Sequence, residues 1–446
     1  MTGSCYLIET STSKLLIDCG MFQGERIVGG FNFEDFGFDP KEIDAVVVTH
    51  AHYDHNGRIP VLIKRGFEGL VFSTPPTKSL MKIVLEDAQH VMEENARKYG
   101  NPILFSQDDV SEMFKICKGV NYHTQFEPVP GIQVMFHDAG HILGSAFVTL
   151  EISGKETQTG ESIKLLFSGD LGNDDVPILP STEAIESADV VVCESTYGDR
   201  DHEKTKERSK KLKSAVKKVL DRKGTLIIPA FSIERTQELL YEIDQLIDAG
   251  EIPSAPIYLD SPLAIKATEL YRHFKAYLRF DRPILESPDH DFFTFKNLKE
   301  TLTVDESKVI NRDNRPKIII AGSGMMTGGR VQHHLMRYLP DEKSEVLIIG
   351  YQAGGTLGRK IQEGAEVVKI FDQQVEVNAD VEKIESFSAH ADRSKIREWL
   401  VPRTGKVKQI FLTHGDVETK ESFKTFLKKR IESKITIPKF HDEFEF

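Results

Sequence analysis

Short apolar runs recur through the first part of the chain, and most of them end at a polar residue of the ligand type. Their β-branched or alternating composition predicts strands. The runs are CYLIE, KLLIDCG, AVVVT, IQVMFHD, AFVTLEI, KLLFSGD and ADVVVCE. Because the loops at one end of neighbouring strands meet at one edge, the pattern predicts a sandwich-like α/β domain with one active rim.

A different pattern begins near residue 198. The charged segment DHEKTKERSKKLKSAVKKVLDRKG predicts a helix, and four units of an apolar strand and an amphipathic helix follow it. The units are GTLIIPAFSIERTQELLYEI, APIYLDSPLAIKATELYRHF, RPKIIIAGSGMMTGGRVQHHLMRYL and SEVLIIGYQAGGTLGRKIQEG. This alternation predicts a second domain with a doubly wound parallel sheet. The polar passage 287–314 is predicted to be irregular, and residues 375–430 return to strand, loop and helix.

Length and composition limit the class of protein. The 446 residues suffice for two or three domains, and the net charge of −12 argues against a generally basic nucleic-acid protein, although a local basic groove stays compatible with it. The four cysteines are widely spaced, which indicates a reducing compartment, by default the cytoplasm. No apolar run approaches the ~20 residues of a membrane span, and the N-terminus has no signal-peptide pattern.

The stretch VVVTHAHYDHNGR places four ligand-type residues directly after a predicted buried strand. Imidazole and carboxylate are the ligands that zinc takes when cysteine is absent. His50 and His52 alternate on an extended stretch and can share one ion, while Asp54 and His55 are offset by the turn and can face a second ion. The alternative is a histidine-rich surface loop.

Other predicted strand ends add residues of the same kind. They are Asp18, His141, Asp170, Glu194, His390 and His414. A turn or cap role is the alternative for Asp18 and His390. The remaining histidines, among them His123 and His137, have no matching partner pattern and are predicted to be ordinary surface or core residues.

Two glycine-rich turns follow predicted strands of the second domain. GSGMMTGGR opens a helix, so its backbone N–H groups and Arg330 could hold a phosphate. GYQAGGTLGR ends the next strand unit, and both turns with Arg359 are predicted to open on one crevice. The alternative is a tight turn that needs glycine for backbone reasons alone.

Taken in order, these motifs resemble a known family. HxHxDH, the histidine before LGS, SGD, CESTYG, SAHAD and LTHGD are similar to the ordered motifs of the β-CASP nucleases of the metallo-β-lactamase fold. That family includes the cleavage and polyadenylation endonuclease and bacterial and archaeal RNA-processing relatives. The resemblance spans nearly the whole chain, which corresponds to the bacterial and archaeal type without KH domains.

The resemblance implies an α/β fold, a metallo-β-lactamase αββα sandwich with an inserted doubly wound parallel-sheet β-CASP domain. The metallo-β-lactamase domain would consist of residues 1–197 and 375–446, and the β-CASP domain of residues 198–374. The family has a further strand before TGSCYLIET, whereas this chain begins at Met1. A truncated start and a misassigned initiator both account for that difference.

The resemblance also implies a role for each site residue. One zinc would be held by His50, His52, His141 and Asp170, and the other by Asp54, His55, Asp170 and His414. His390 would give a proton to the leaving 3′ oxygen, Glu194 would orient His390, and Asp18 would support a ligand histidine. The residues predicted to contact RNA phosphates are Gly322, Ser323, Gly324, Gly328, Gly329, Arg330, Arg359 and Ser388.

The function that the resemblance implies is hydrolysis of single-stranded RNA with two Zn²⁺ per chain, as an endonuclease, a 5′-to-3′ exonuclease or both. A small-molecule metallo-hydrolase of the same fold is one alternative, and a scaffold without catalysis is another. The doubly wound insertion speaks against the first, and the filled ligand positions speak against the second. A homodimer and RNA-processing partner proteins are further expectations from the resemblance.

Overall fold

The computed structural model describes residues 3–23, 30–174, 176–203, 206–279 and 293–446. Its strands in those ranges are β1 (Tyr6–Glu9), β2 (Lys14–Ile17), β3 (Ala45–Val47), β4 (Leu70–Ser73), β5 (Cys117–Gly119), β6 (Phe126–Val129), β7 (Ile132–Asp138), β8 (Ala146–Ile152), β9 (Ile163–Phe167), β10 (Val190–Cys193), β11 (Thr225–Pro229), β12 (Ile257–Asp260), β13 (Leu298–Glu300), β14 (Lys317–Ala321), β15 (Glu345–Ile348), β16 (Val367–Ile370), β17 (Gln373–Glu376), β18 (Asp380–Lys383), β19 (Gln409–Leu412) and β20 (Lys434–Thr436). Its α-helices there are α1 (Tyr53–Asn56), α2 (Ile59–Lys64), α3 (Pro75–Tyr99), α4 (Gln107–Ile116), α5 (Lys206–Asp221), α6 (Arg235–Asp248), α7 (Pro262–His273), α8 (Val304–Ile310), α9 (Val331–Tyr338), α10 (Leu357–Gln362), α11 (Arg393–Trp399) and α12 (Val417–Lys428).

By its internal contacts the chain divides into two compact units. The first unit consists of Met1–Asp174, Pro180–Asp201 and His390–Phe446, and the second of Asp175–Leu179 and His202–Ala389. Among the described helices, none is both long and apolar enough to cross a membrane.

The first unit is built on two sheets. One has five strands in the order β1-β2-β3-β4-β5, and the other has seven in the order β20-β19-β10-β9-β8-β7-β6. An apolar layer lies between them, to which Leu15 and Ile17 of the smaller sheet and Val134, Phe136 and Val148 of the larger sheet contribute buried side chains. Alternate residues of β7 are buried, which gives that strand the one-sided apolar face that packing of two sheets requires.

Helices pack on the outer faces of these sheets. On the smaller sheet, α3 contacts β5, α4 contacts β4, and α2 packs on α4. On the larger sheet, Trp399 of α11 and Phe423 of α12 pack with Leu166 and Val191. The order helix, sheet, sheet, helix confirms the predicted αββα sandwich.

The second unit has a six-stranded sheet in the order β13-β12-β14-β11-β15-β18. Every adjacent pair in it is parallel. β11, β12, β14 and β15 are each followed by a helix, as the four strand–helix units predict. All residues of β11, β12, β14 and β15 are buried, as expected for strands covered on both faces. The predicted parallel sheet is therefore confirmed.

Two stretches differ from the expectation drawn from sequence. Residues 293–314 of the passage predicted to be irregular contain β13 and α8, which begins at a capping box between Thr303 and Glu306. Residues 287–292 lie outside the described part of the chain. β18 pairs with β15, so residues 375–389 belong by their contacts to the second unit. The boundaries at 197/198 and 374/375 between the metallo-β-lactamase and β-CASP domains stay a prediction.

Candidate metal centre

The predicted strand-end residues of the first unit converge at one site. β3 leads into His50 and His52, and the helical turn α1 carries Asp54 and His55. Loops at the ends of strands of the larger sheet supply His141 (between β7 and β8), Asp170 (after β9), Glu194 (after β10) and His414 (after β19), and the segment before α11 supplies His390. Their ligand atoms form clusters that lie wholly within the first unit.

Four ligand atoms form the first cluster. His52 Nδ1 lies 3.1 Å from both His50 Nε2 and His141 Nε2. Asp170 Oδ2 lies 3.4 Å from His50 Nε2 and 3.6 Å from His141 Nε2. Donors bound tetrahedrally to zinc are separated by about 3.3–3.4 Å. The spacing of these four atoms therefore fits one such ion.

The second cluster consists of ligand atoms of Asp54, His55 and His414, and the other oxygen of Asp170 faces it. Asp170 Oδ1 lies 3.3 Å from His55 Nε2 and 3.7 Å from His414 Nδ1, and Asp54 Oδ2 lies 3.2 Å from His414 Nε2. Asp170 Oδ1 and His55 Nε2 are buried and have no hydrogen-bond partner among the described residues. A buried polar atom without a partner costs free energy, and a cation here would supply the missing contact. Asp170 is thus placed to bridge two ions.

Asp18 and Thr49 orient two of the ligand histidines. Asp18 Oδ2 accepts the Nδ1–H of His55 at 2.7 Å, which turns Nε2 of that ring toward Asp170. Thr49 donates its hydroxyl hydrogen to Asp18 Oδ2 at 2.8 Å. The hydroxyl oxygen can then only accept the Nδ1–H of His50, 3.0 Å away, which leaves the Nε2 lone pair of His50 for a metal.

The sequence patterns did not single out the hydroxyl residues of this site. Thr49 is one of them, and Thr196 is another, with its Oγ1 3.0 Å from Nδ1 of His414. A hydroxyl beside an imidazole has no spacing signature of its own. The available signal is adjacency, because Thr49 directly precedes HxHxDH and Thr196 lies within CESTYG.

Burial and charge decide the protonation of the ligands. Burial lowers the pKa of His50 and of His141, and lowers the pKa of His52 to about 3, so these imidazoles are neutral. Burial opposes the charge of Asp170, but neighbouring imidazoles, chiefly that of His414, outweigh it and hold the pKa of this carboxyl well below its usual range. The neutral imidazoles of His50, His52 and His141 beside the ionised Asp170 are a donor set that zinc takes. Burial opposes the charge of His55 and His414, but the neighbouring carboxylates outweigh it and raise their pKa values, and a bound cation would displace those protons.

His390 and Glu194 lie beside the two clusters. His390 Nδ1 is 3.3 Å from Glu194 Oε1, which also accepts the backbone N–H of Leu171 at 2.7 Å. Leu171 O accepts the N–H of Ala391, also at 2.7 Å. The loop that carries His390 is therefore fixed on the loop that carries Asp170.

Asp18→Asn is expected to lower metal affinity by about 10–100-fold, because hydrogen bonds that support a ligand histidine contribute that much. The amide has one oxygen, so if it still accepts the backbone N–H of Thr49, its NH₂ group faces Nδ1 of His55 and cannot accept that N–H. Competition with a chelator measures the affinity. Asp189→Asn is the matched control, since Asp189 accepts the N–H of Lys164 at 3.0 Å and belongs to neither cluster. Unchanged affinity in both variants would contradict the supporting role of Asp18.

The glycine-rich turns of the second unit lie beside each other. The first turn, residues 322–330, joins β14 to α9, and the second precedes α10. Met325 O accepts the N–H of Gly358 at 3.2 Å, and Gly324 O accepts from Gln352 Nε2 at 2.9 Å. The two turns are therefore linked at the carboxyl ends of β14 and β15, which are the ends that the sequence predicts.

Arg330 is engaged within the second unit. Its guanidinium donates to Asp260 Oδ1 and Thr301 O, both at 2.8 Å, and to Leu302 O at 2.7 Å. Asp260 is fully buried, and the sequence patterns did not single it out. The observed contacts assign Arg330 a role in holding its turn, and its contact with phosphate stays a prediction. Ser388 follows a 3-10 turn of the same unit, and its contact with phosphate likewise stays a prediction.

Arg330→Gln is expected to lower the free energy of unfolding by about 1–3 kcal/mol, because the buried carboxylate of Asp260 loses its cationic partner. Arg359→Gln is the comparison, since Arg359 is partly exposed and pairs with Glu363 of the same helix. It should change stability by less than about 0.5 kcal/mol. Denaturant unfolding measures both variants. Equal stability of the two would contradict the holding role of Arg330.

Comparison with known protein families finds three matches along the chain. Residues 1–80 match the metallo-beta-lactamase superfamily, residues 236–361 match the Beta-Casp domain, and residues 374–438 match the Zn-dependent metallo-hydrolase RNA specificity domain. The first segment contains the ligands of HxHxDH, and the third contains His390 and His414. The second contains both glycine-rich turns.

Several characterised proteins are similar to this chain. Ribonuclease TTHA0252 of Thermus thermophilus is 36% identical over 418 residues, which are 94% of this chain and 91% of that protein. The RNase J-like protein of Methanocaldococcus jannaschii is 32% identical over 98% of this chain and 94% of its own length. Transcription termination factor FttA of Methanosarcina mazei is 32% identical over 93% of this chain, which spans 65% of that longer protein.

Proposed function

Because the chain belongs to the β-CASP family of the metallo-β-lactamase superfamily, we propose that it is a zinc-dependent ribonuclease that binds two ions and hydrolyses single-stranded RNA. The observation that carries the proposal is the position of Asp170, whose two carboxylate oxygens each face a separate group of ligand atoms. A carboxylate in this position holds two cations close enough to act on one phosphate.

The ligands proposed for the two ions follow the observed clusters. The first ion would be held by His50, His52, His141 and Asp170, and the second by Asp54, His55, Asp170 and His414. The chemistry expected of ions held there is acidification of a water molecule and neutralisation of charge on the phosphoryl oxygens. Asp18 and Thr49 serve this chemistry by fixing the tautomers of His55 and His50.

The leaving 3′ oxygen needs a proton, and His390 is the proposed donor. With Nδ1 directed at Glu194 Oε1, the proton available for transfer is the one on Nε2. Glu194 is buried and held by the N–H of Leu171, so it orients the imidazole and favours its protonated form. We assign His390 as the general acid and Glu194 as a positioning residue.

The competing functions have less support. A small-molecule hydrolase would have no use for an RNA specificity domain, and relatives named as ribonucleases align with more than nine-tenths of this chain. A scaffold without catalysis would be expected to lack some of the metal ligands. In this chain every predicted ligand residue has a ligand atom near those of the other residues proposed for the same ion. RNA hydrolysis therefore accounts for more of the observations.

Compartment and partners belong to the same proposal. The four cysteines are free thiols, which supports a reducing compartment and hence the cytoplasm. In the second unit, backbone N–H groups of the turn 322–330 are proposed to contact RNA phosphates. A homodimer and RNA-processing partner proteins are proposed from the family resemblance alone.

Single-stranded RNA labelled separately at each end tests the proposed function. The zinc-loaded protein should cleave it, chelator should abolish cleavage, and a duplex of the same sequence should be cleaved more slowly. Internal fragments would identify an endonuclease, and mononucleotides released from one end would identify an exonuclease. The Asp170→Asn protein, purified in parallel, controls for contaminating ribonuclease. Absence of cleavage by protein with two bound zinc ions would contradict the proposal.

A further inference from the structure

A second group of ligand-type side chains lies in the first unit. His123 is in the turn before β6, His137 is near the end of β7, and Glu183 lies between β9 and β10. His123 Nε2 is 2.9 Å from Glu183 Oε2, and His137 Nδ1 is 3.7 Å from the same oxygen. Ligand atoms of the three residues all lie within 4.8 Å of one another. The sequence patterns had placed neither histidine in such a group.

His137 has one ring nitrogen directed at this group. Its Nε2 lies 2.9 Å from Thr149 Oγ1, and the Thr149 hydroxyl has an acceptor of its own in Met135 O at 3.5 Å. When the hydroxyl accepts the Nε2–H of His137, the Nδ1 lone pair faces the carboxylate oxygen of Glu183 and is available to a cation. In the other tautomer the Nδ1–H is directed at Glu183, and a cation that binds there would displace this hydrogen.

Two of the three side chains are fixed in place by their neighbours. The His137 ring stacks on Phe147, with centroids 4.7 Å apart and planes inclined by 7°. Glu183 is held through its backbone, because its N–H donates to the last residue of β7 at 3.0 Å and its carbonyl accepts from Trp399 Nε1 at 2.9 Å. His123, with 60% of its side chain exposed, completes the group from a turn. Metal binding would therefore immobilise mainly the ring of His123, which keeps the entropic cost of binding low.

We propose that His123, His137 and Glu183 form a further metal site, which binds a divalent transition metal of the zinc type with water in the open position. Two imidazoles and one carboxylate are a donor set that zinc takes with a fourth position open to water. The site shares no residue with the two clusters of the metal centre and does not depend on the proposed reaction. A metal bound there would link three parts of the first unit: the turn before β6, the segment before β10, and β7. β7 is the strand that leads to His141.

Equilibrium dialysis against a fixed free zinc concentration, followed by elemental analysis, counts the ions bound per chain. We expect His123→Asn and Glu183→Gln to bind one ion fewer than the wild-type protein. Asparagine tolerates the φ of +58° at residue 123, and glutamine keeps the shape of Glu183, so both variants should fold. His90→Asn is the matched control, since His90 is an exposed histidine 3.6 Å from Glu94 that belongs to no cluster of three ligands among the described residues.

Equal zinc content in the wild type and both site variants would overturn the proposal. Anomalous scattering at the zinc edge from wild-type crystals gives an independent result. A peak between His137 Nδ1 and Glu183 Oε2 supports the site, and peaks confined to the metal centre overturn it. Because the count compares variants with wild type, this outcome is separate from any result on RNA cleavage.

Discussion

Asp170→Asn is expected to lower RNA cleavage by about 10³-fold or more and to reduce the metal content of the protein. The wild-type carboxylate presents Oδ2 to His50 and His141 and Oδ1 to His55, so each oxygen serves a different cluster. An amide has one neutral oxygen, and its NH₂ group would direct hydrogens at one of the two cation positions. The variant would therefore lose the carboxylate that faces both clusters. It would also lose the negative charge that partly neutralises two divalent ions.

Asp138→Asn is the matched control for this substitution. Asp138 is a buried aspartate of the same sheet, accepts the N–H of Gly140 at 2.8 Å and belongs to neither cluster. Burial raises the pKa of Asp138 to about 7, so a neutral amide is close to the form that this site already favours. Elemental analysis and initial rates on labelled RNA measure both variants. If Asp170→Asn kept wild-type metal content and rate, the assignment of a bridging ligand would be wrong.

The clustering of the candidate metal ligands was predictable because it depends on local patterns. A buried strand that ends at Val47 carries the chain to the rim of the sheet, and the spacing of His50 and His52 places both imidazoles in one cluster of ligand-type atoms. Asp54 and His55 lie on a helical turn that the sequence analysis had treated as loop. The turn separates Asp54 and His55 from His50 and His52. The sequence analysis expected this separation.

The partners of distant residues were not predictable in the same way. Arg330 is the last residue of a glycine-rich turn. Its local sequence is compatible with a contact to phosphate and equally compatible with an ion pair inside the protein. The deciding residue, Asp260, lies 70 positions earlier at the end of another strand. Likewise, the sequence of β18 predicts a strand but not the sheet in which it pairs, because pairing depends on a non-local partner. The capping box at Thr303 was a local signal and could have been used.

His390→Ala is expected to slow cleavage of ordinary RNA by about 10²–10⁴-fold, the range for loss of a general acid. The residue contributes to neither of the two proposed ion sites, so metal content should stay at the wild-type value. An RNA with sulfur in place of the bridging 3′ oxygen distinguishes proton donation from positioning, because a thiolate leaves without a proton. The variant should then approach the wild-type rate. An equal defect on both substrates would show that His390 does not supply the proton.

Glu194→Gln should shift the basic limb of the pH–rate profile to lower pH. Burial opposes the charge of His390, but the carboxylate of Glu194 outweighs it and raises the pKa of this imidazole to about 9. An acid acts only in its protonated form, so wild-type activity extends up to the pKa of His390 and is lost above it. Glutamine keeps an acceptor for the N–H of Leu171 but removes the negative charge, which lowers the pKa of His390. Bound cations lower this pKa in both proteins, so the difference between their profiles reports the contribution of Glu194. Coincident basic limbs on ordinary RNA would contradict the assignment of Glu194 as the residue that keeps His390 protonated.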